Sequence, residues 1–190
     1  MKNSRKIFLD LGANDGCSVD LFLESFPNSK DYEIHSFECN PSMLEVYKSK
    51  FPDFRIYDYA ASTFYGEATF YIGELTLSST LRKDKTTYIS NNKIKVNCID
   101  ISDFIINNFN KDDYIVLKMD IEGSEYDILP KMISQGLFDG YINELYGEWH
   151  WNKLKNISEQ FHNNLIQHLE EKGFTMKAWH GQEKYKIIGE

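Results

Sequence analysis

The sequence predicts an α/β fold in which a mostly parallel sheet carries helices on both faces. Two apolar stretches, at 7–11 and 114–119, each run into an acidic turn that contains glycine. Helical apolar patterns follow both turns, and the first half of the chain alternates between strand and helix. Such alternation is typical of parallel strands joined by right-handed crossovers. The chain of 190 residues shows no linker or repeat, so we expect a single domain over residues 1–190.

The first half of the chain divides into five predicted elements. Phe26 and Pro27 end the first helix, and Pro41 suits the first turn of the second. The predicted elements are a strand at 7–11, a helix at 19–26, a strand at 32–37, a helix at 41–51 and a strand at 54–60.

The second half departs from strict alternation. A polar stretch at 74–92 predicts a long loop, and we interpret its basic cluster Arg82–Lys85 as a solvated run and not as a phosphate grip. Asp100 or Ser102 is suited to cap a short helix. The remaining predicted elements are strands at 66–73, 93–99, 114–120 and 141–149, helices at 104–109, 126–133 and 158–172, and a C-terminal hairpin from 174–179 and 185–188.

Composition argues against several classes of protein. The formal net charge of −8 disfavours a nucleic-acid backbone or an anionic membrane as the main partner. Three cysteines without C-x-x-C spacing favour a reducing compartment over a zinc site or a disulfide framework. The apolar stretch near the N-terminus is too short for a signal peptide or a membrane span. We therefore expect a cytoplasmic protein, and its many Lys, Asn and Ile residues suggest a bacterial or viral source.

The first acidic turn has the features of a ligand site. Gly12 and Gly16 allow a tight backbone with exposed amides. Asp10 stands where a dinucleotide fingerprint has its first glycine, and an acid suits a cationic ligand such as S-adenosylmethionine. A strand-to-helix turn without a ligand explains this stretch equally well.

Acidic residues are expected to meet at one edge of the sheet. Asp10, Glu38, Asp58 and Asp120 each lie at or near the end of a predicted parallel strand, where open α/β sheets bind their ligands. Glu38 at the end of the second strand is placed to accept hydrogen bonds from the hydroxyls of a ribose. Asp58 suits either an adenine amino group or the capping of a turn.

Four stretches together resemble the FkbM-type methyltransferases: Asp10–Gly16, Phe37–Pro41, Ala60–Ser62 and Leu117–Glu125. The resemblance implies a class I, Rossmann-like fold with a C-terminal antiparallel hairpin, and O-methylation of a sugar, nucleotide sugar or glycan by S-adenosylmethionine. It implies that Asp120 faces the transferred methyl group. The residues that it implies around the cofactor are Asp10, Gly12, Asn14 and Gly16 at the methionine part, Glu38 at the ribose, and Asp58 to Ala61, including Ala60, at the adenine.

Methyl transfer to a hydroxyl needs a group that deals with the hydroxyl proton. Asp120, Glu148 and His150 are the candidate catalytic bases. Together with Glu122 they are alternatively candidates to hold Mg²⁺ or Mn²⁺, which would lower the pKa of the hydroxyl. The aromatic residues Tyr146, Trp149 and Trp151 suit either stacking on a sugar or core packing.

Two other classes of function stay open at this point. They are a nicotinamide-dependent oxidoreductase on a related sheet and a non-catalytic cofactor-binding module. The sequence does not determine the acceptor, the methylated hydroxyl, the need for a metal or the oligomeric state.

Overall fold

A computed structural model describes residues 4–74 and 78–179. The strands are β1 (Lys6–Leu11), β2 (Tyr32–Phe37), β3 (Arg55–Tyr57), β4 (Ala60–Ser62), β5 (Gly66–Gly73), β6 (Ile89–Asp100), β7 (Tyr114–Met119) and β8 (Ile142–Gly147). The α-helices are α1 (Cys17–Ser25), α2 (Pro41–Lys50), α3 (Ile101–Asn108), α4 (Glu125–Ser134) and α5 (Glu159–Glu171).

The central sheet has five parallel strands in the order β3-β2-β1-β7-β8. This confirms the predicted doubly wound α/β architecture. Side chains alternate across β1. Ile7, Leu9 and Leu11 belong to the core cluster that contains residues of α3, α4 and α5, whereas Phe8 belongs to the cluster that contains residues of α1 and α2. Burial on both faces explains why the central strands are nearly continuous in apolar residues.

The predicted third strand at 54–60 is wrong as a single element. It breaks at Asp58 and Tyr59, so β3 joins the central sheet and β4 joins a second sheet of order β4-β6-β5. In this second sheet, β4 runs parallel to β6 with Ala60 opposite Cys98, and β5 runs antiparallel to β6. Pairing with both neighbours also makes β6 longer than the predicted 93–99.

The predicted loop at 74–92 is shorter than expected and is attached to the fold. Its last residues belong to β6, and the described residues 78–88 form two isolated bridges, Tyr71 with Thr80 and Lys85 with Leu154. The Tyr71 amide donates to the Thr80 carbonyl at 2.8 Å, and the Thr80 amide donates back at 3.0 Å. The polar sequence of this segment therefore predicted that it has no long helix or strand, but it did not predict the bridges that attach the segment to the rest of the fold.

The C-terminal hairpin is only partly within the described residues. Lys177 forms one isolated parallel bridge with Tyr146 of β8. Apart from this bridge, the described residues 174–179 form no strand. The second arm, 185–188, lies outside the described residues. Among the helices that the structure describes, none has the length and apolar character needed to cross a membrane.

Helix caps follow the sequence signals. The Asn40 side chain accepts from the Ser42 amide at the start of α2, with Pro41 in the first turn. Asp100, and not Ser102, caps α3 by accepting from the Ser102 and Asp103 amides. These caps fix the residues at which α2 begins after β2 and α3 begins after β6.

Candidate functional site

An open cleft lies at the carboxyl edge of the central sheet, where β1, β2 and β7 end. About 570 Å³ of space in this region, part of it open to solvent, is not filled by protein atoms. Its polar lining includes Asn14, Glu38, Asp120 and Glu122, and apolar side chains such as Met43 complete the wall. The predicted meeting of acidic strand ends therefore holds for Glu38 and Asp120.

Gly12 joins the two acidic turns. It has φ +80°, and a Cβ at this position would lie 2.1 Å from the backbone oxygen of Asp120. The Gly12 amide donates to the Phe37 carbonyl at 3.1 Å, and the Asp120 amide donates to the Leu11 carbonyl at 3.1 Å. Only glycine combines this φ with such a close backbone approach.

Gly16 has a different environment from Gly12. Its φ is +82°, and a Cβ there would lie 2.6 Å from the Phe51 ring. It precedes α1 and is not part of the cleft wall. The structure thus accounts for Gly16 by helix packing, and its contact with a cofactor stays a prediction.

Asp10 does not reach the cleft with its carboxylate. The side chain is fully buried, accepts a hydrogen bond from Ser18 Oγ at 2.5 Å and forms an ion pair with Lys118 Nζ at 3.0 Å. Lys118 also donates to the Gly12 carbonyl at 2.8 Å. Burial would lower the pKa of Lys118, but Asp10 and Asp120 outweigh that effect and raise it. Asp10 therefore forms a buried ion pair that supports the turn, and its carboxylate does not contact the cleft.

Glu38 is the carboxylate that the cleft encloses most fully. Burial raises its pKa, although backbone amides oppose the shift. Its Oε2 accepts from the Asn14 amide at 2.9 Å and its Oε1 from the Asn40 amide at 2.6 Å. Because each carboxylate oxygen has a second acceptor position, Glu38 is fixed in place and still able to accept from a ligand.

The adenine side of the cleft differs from expectation. Asp58 is exposed and is not part of the cleft wall, whereas Tyr59 and Ala60 line it. The break between β3 and β4 turns Asp58 outward, so the structure brings Ala60 but not Asp58 to the cleft.

His150 follows β8, is fully buried and does not line the cleft itself, but it lies beside Asp120 and Glu122, which do. Its Nδ1 lies 3.1 Å from Glu125 Oε1. Glu125 is itself fully buried and accepts from the Ile121 amide at 2.9 Å and the Gly123 amide at 2.8 Å. Glu125 thus supports the N-terminus of α4 by accepting these two amides, and the same carboxylate also orients His150.

The other ring nitrogen of His150 faces three carboxylates. Nε2 lies 3.7 Å from Asp120 Oδ1, 3.5 Å from Glu122 Oε1 and 3.8 Å from Glu148 Oε2. It has no hydrogen-bond partner in the part of the chain that the structure describes. Asp120, Glu148 and His150 each offer one possible ligand atom, and these three atoms lie within 4.8 Å of one another.

The charges of this cluster shift its titration. Burial would lower the pKa of His150, but Glu125 and Glu122 raise it to about 10. The raised pKa favours the protonated form of His150 at neutral pH, which makes this side chain a weaker candidate base. Partial burial and the acids Glu122 and Glu148 raise the pKa of Asp120, although Lys118 and His150 oppose the shift. Asp120 is thus the better candidate base of the two.

Glu122 is held by the polar segment 78–88. Its backbone has φ +52°, and Lys85 Nζ lies 2.5 Å from its Oε2. Burial would raise the pKa of Glu122, but His150 and Lys85 lower it to about 2. Lys85 is only 3% exposed, so the interpretation of Arg82–Lys85 as a solvated run is wrong.

The family is decided by comparison with known domains. The model of the "Methyltransferase FkbM domain" matches residues 10–176, which is most of the chain. The protein belongs to the FkbM methyltransferase family. This confirms the predicted family, and it implies S-adenosylmethionine as the methyl donor. No curated protein and no solved structure is similar enough to the chain to count as a match.

The cleft of this FkbM protein fits such a cofactor. Glu38 offers acceptor positions suited to ribose hydroxyls. The aromatic ring of Tyr59 and the small side chains of Ala60 and Ala61 suit an adenine ring. Asn14 and the acidic end at Asp120 suit an ammonium and a sulfonium. The roles of these residues in cofactor binding stay predictions that the geometry supports.

The aromatic residues beside the cluster belong to the core. Trp151 stacks on His162 with ring centroids 5.4 Å apart, and Trp149 meets the same ring edge to face at 5.0 Å. Tyr146 packs edge to face on Trp179 at 5.3 Å. Of the two uses that the sequence allowed for these aromatics, the structure favours core packing over stacking on a sugar.

Three residues of this FkbM site were missed or undervalued by sequence reasoning. Lys85 lies in a polar stretch without periodicity, which carries no signal of a buried ion pair. Glu125 is the first residue of a helix, where a carboxylate has an ordinary local explanation. Tyr59 entered the cleft because of a strand break that the apolar pattern did not reveal.

Proposed function

We propose that the protein is an S-adenosylmethionine-dependent O-methyltransferase that acts on a hydroxyl of a sugar or sugar-bearing metabolite. The observation that carries the proposal is that one cleft is lined by Glu38 and Asn14, which suit the cofactor, and by Asp120, which suits a hydroxyl that must lose a proton. Membership of the FkbM family supplies the methyl-transfer chemistry.

The reaction requires three changes of bonding. S-adenosylmethionine supplies an electrophilic methyl group and retains the electron pair of the broken C–S bond as S-adenosylhomocysteine. The acceptor oxygen forms the new C–O bond, and its proton passes to a base. The protein contributes by orienting the oxygen behind the methyl group and by placing the acid cluster around Asp120 where the proton must leave.

The charges at the acceptor end favour a neutral sugar over a phosphorylated one. A phosphate would meet Asp120, Glu122 and Glu148. The cations near these acids are already engaged. His150 Nε2 lies 3.5–3.8 Å from all three carboxylates, Lys85 pairs with Glu122, and Arg82 pairs with Asp84 and Asp127. We therefore propose a neutral sugar or glycan as the first acceptor to test, with a nucleotide sugar second.

We also propose a cytoplasmic location. The three cysteines, Cys17, Cys39 and Cys98, are all free thiols, which suits a reducing compartment.

Calorimetric titration with S-adenosylhomocysteine tests the cofactor. We expect wild-type binding that weakens roughly tenfold or more in Glu38→Gln, since a charged hydrogen bond contributes about 1.5–3 kcal/mol. Glu45→Gln, on the exposed side of α2, is the matched control and should bind like the wild type. Circular dichroism of each variant confirms the fold.

Methyl transfer is then measured with labelled S-adenosylmethionine and a panel of neutral sugars and glycosides. We expect a product heavier by one methylene and a large loss of rate in Asp120→Asn with cofactor binding retained. An unchanged rate in Asp120→Asn would contradict the placement of the chemistry. Binding of NADH without S-adenosylhomocysteine would favour an oxidoreductase, and cofactor binding without turnover on any acceptor would favour a non-catalytic module.

A further inference from the structure

We infer that Asp120, Glu148 and His150 form a binding site for one divalent cation of the Mn²⁺ type. The inference deepens the proposed function, because the cation would lie at the acceptor end of the cleft. Two independent observations carry it. One is the convergence of three ligand atoms, and the other is the buried, unpartnered Nε2 of His150.

The distances suit a shared ion. With metal–ligand bonds of about 2.1 Å, two ligands of one ion lie at most about 4.2 Å apart. His150 Nε2 lies 3.7 Å from Asp120 Oδ1 and 3.8 Å from Glu148 Oε2. These separations are too long for hydrogen bonds but fall within the range for common ligation. Glu148 is 44% exposed, so its side chain can adjust to complete the geometry.

The unpartnered nitrogen points to a ligand. His150 is completely buried, and within residues 4–74 and 78–179 its Nε2 finds no hydrogen-bond partner. Buried polar atoms normally have partners, so an exception at a site requires an explanation. A cation bound to Nε2 provides one, because the nitrogen lone pair would be used for ligation.

The surroundings of His150 prepare it as a ligand. Glu125 accepts hydrogen bonds from two backbone amides. It is therefore an acceptor for His150 Nδ1 as well, and Nδ1 is the donor in that hydrogen bond. Nδ1 therefore keeps its proton when a metal binds, and the metal takes the place of the proton on Nε2. A carboxylate behind a histidine ligand is the usual outer arrangement of metal sites in proteins.

Glu122 is excluded from the ligand set by its own ion pair. Lys85 Nζ lies 2.5 Å from Glu122 Oε2, and Lys153 Nζ lies 3.9 Å from Oε1. The ligand set is thus two carboxylates and one imidazole, with the remaining positions open to water or to the acceptor. Mn²⁺ accepts both oxygen and imidazole ligands. When bound, such a cation would lower the pKa of a coordinated hydroxyl, and Asp120 would then serve as a ligand in place of a base.

The test is titration of the purified protein with MnCl₂, followed by calorimetry and by the loss of the paramagnetic resonance signal of free Mn²⁺. It is run with and without saturating S-adenosylhomocysteine. We expect one Mn²⁺ per chain and a loss of affinity of tenfold or more in Glu148→Gln. Because Glu148 is half-exposed, this variant should fold, which circular dichroism checks. Glu170→Gln, an exposed glutamate on α5, is the matched control.

The outcomes separate this inference from the proposed function. Absence of Mn²⁺ binding in both titrations, or equal binding by Glu148→Gln and the wild type, overturns the cation site. The calorimetric binding of S-adenosylhomocysteine is a separate readout, so the methyltransferase proposal can stand when the cation site fails. Mn²⁺ binding without cofactor binding would support the site and overturn the methyltransferase proposal.

Discussion

Replacement of Lys118 by methionine tests the buried ion pair beneath the first acidic turn. Lys118 is 4% exposed and its partner Asp10 is fully buried, so the variant would leave a carboxylate without its cation in the core. Breaking a buried pair in this way costs about 3–5 kcal/mol. Domains of this kind have unfolding free energies of only about 5–15 kcal/mol, so we expect a large loss of stability.

The assay is urea unfolding at pH 7, followed by circular dichroism. Lys172→Met is the matched control, because Lys172 pairs with Asp139 at 2.9 Å while both side chains are exposed; we expect it to cost at most about 1 kcal/mol. In Asp10→Asn/Lys118→Met neither charge is left unpaired, so the double variant should recover about 2 kcal/mol relative to the sum of the single variants.

Two results would refute this reasoning. One is a cost for Lys118→Met no larger than for the exposed control. The other is strict additivity of the double variant, which would show that the two groups do not depend on each other. In either case the ion pair between Asp10 and Lys118 would not be what stabilises the first acidic turn.

Two further predictions concern the backbone and the acid stability of the fold. Gly12→Ala should lower the free energy of unfolding by about 2 kcal/mol or more, because the new Cβ would clash with the Asp120 backbone; urea unfolding measures this loss. Gly173→Ala is the control for backbone strain alone, since Gly173 has φ +81° and nothing within 4 Å of the added Cβ. Equal losses in the two variants would contradict the clash. Burial would raise the pKa of Asp113, but the Arg5 side chain and the backbone amides of Asn110 and Arg5 lower it from 3.8 to about 2. These contacts therefore stabilise the fold above about pH 4, and their contribution disappears as the pH falls through 2. Asp113→Asn should then cost roughly 1–2 kcal/mol at pH 7, allowing for solvent screening of the partly exposed arginine, and little at pH 2; a cost independent of pH would contradict this.

The layout of the fold was predictable where local chemistry and tertiary structure agree. The central strands are apolar because helices cover both faces, and Asn40 with Pro41 marks the start of α2 by its own hydrogen bonding. The break at Asp58 was not predictable in this way. Residues 54–60 have a continuous strand pattern, and what divides them is pairing with β6, which lies about forty residues further along the chain.

The candidate site was predictable in its strand ends and not in its support. Glu38, Asp120, Glu148 and His150 lie at the ends of predicted strands or directly after them, and the topology of a parallel sheet brings such residues to one edge. Lys85 was not predictable, because its partner Glu122 lies far away in sequence and the polar segment around it has no period. Asp10 shows the opposite case, since its position in the turn suggested a ligand contact and its burial shows an internal ion pair.

The joint between the two acidic turns has a consequence for the proposed chemistry. Gly12 touches the Asp120 backbone, and its carbonyl accepts from Lys118, which in turn pairs with Asp10. The two turns, which we propose bind the cofactor and the acceptor, are therefore held in one relative position by backbone contact and a buried charge pair. Methyl transfer requires the acceptor oxygen to lie directly behind the methyl group. A loss of activity in Asp10 or Lys118 variants is thus expected even though neither side chain lines the cleft.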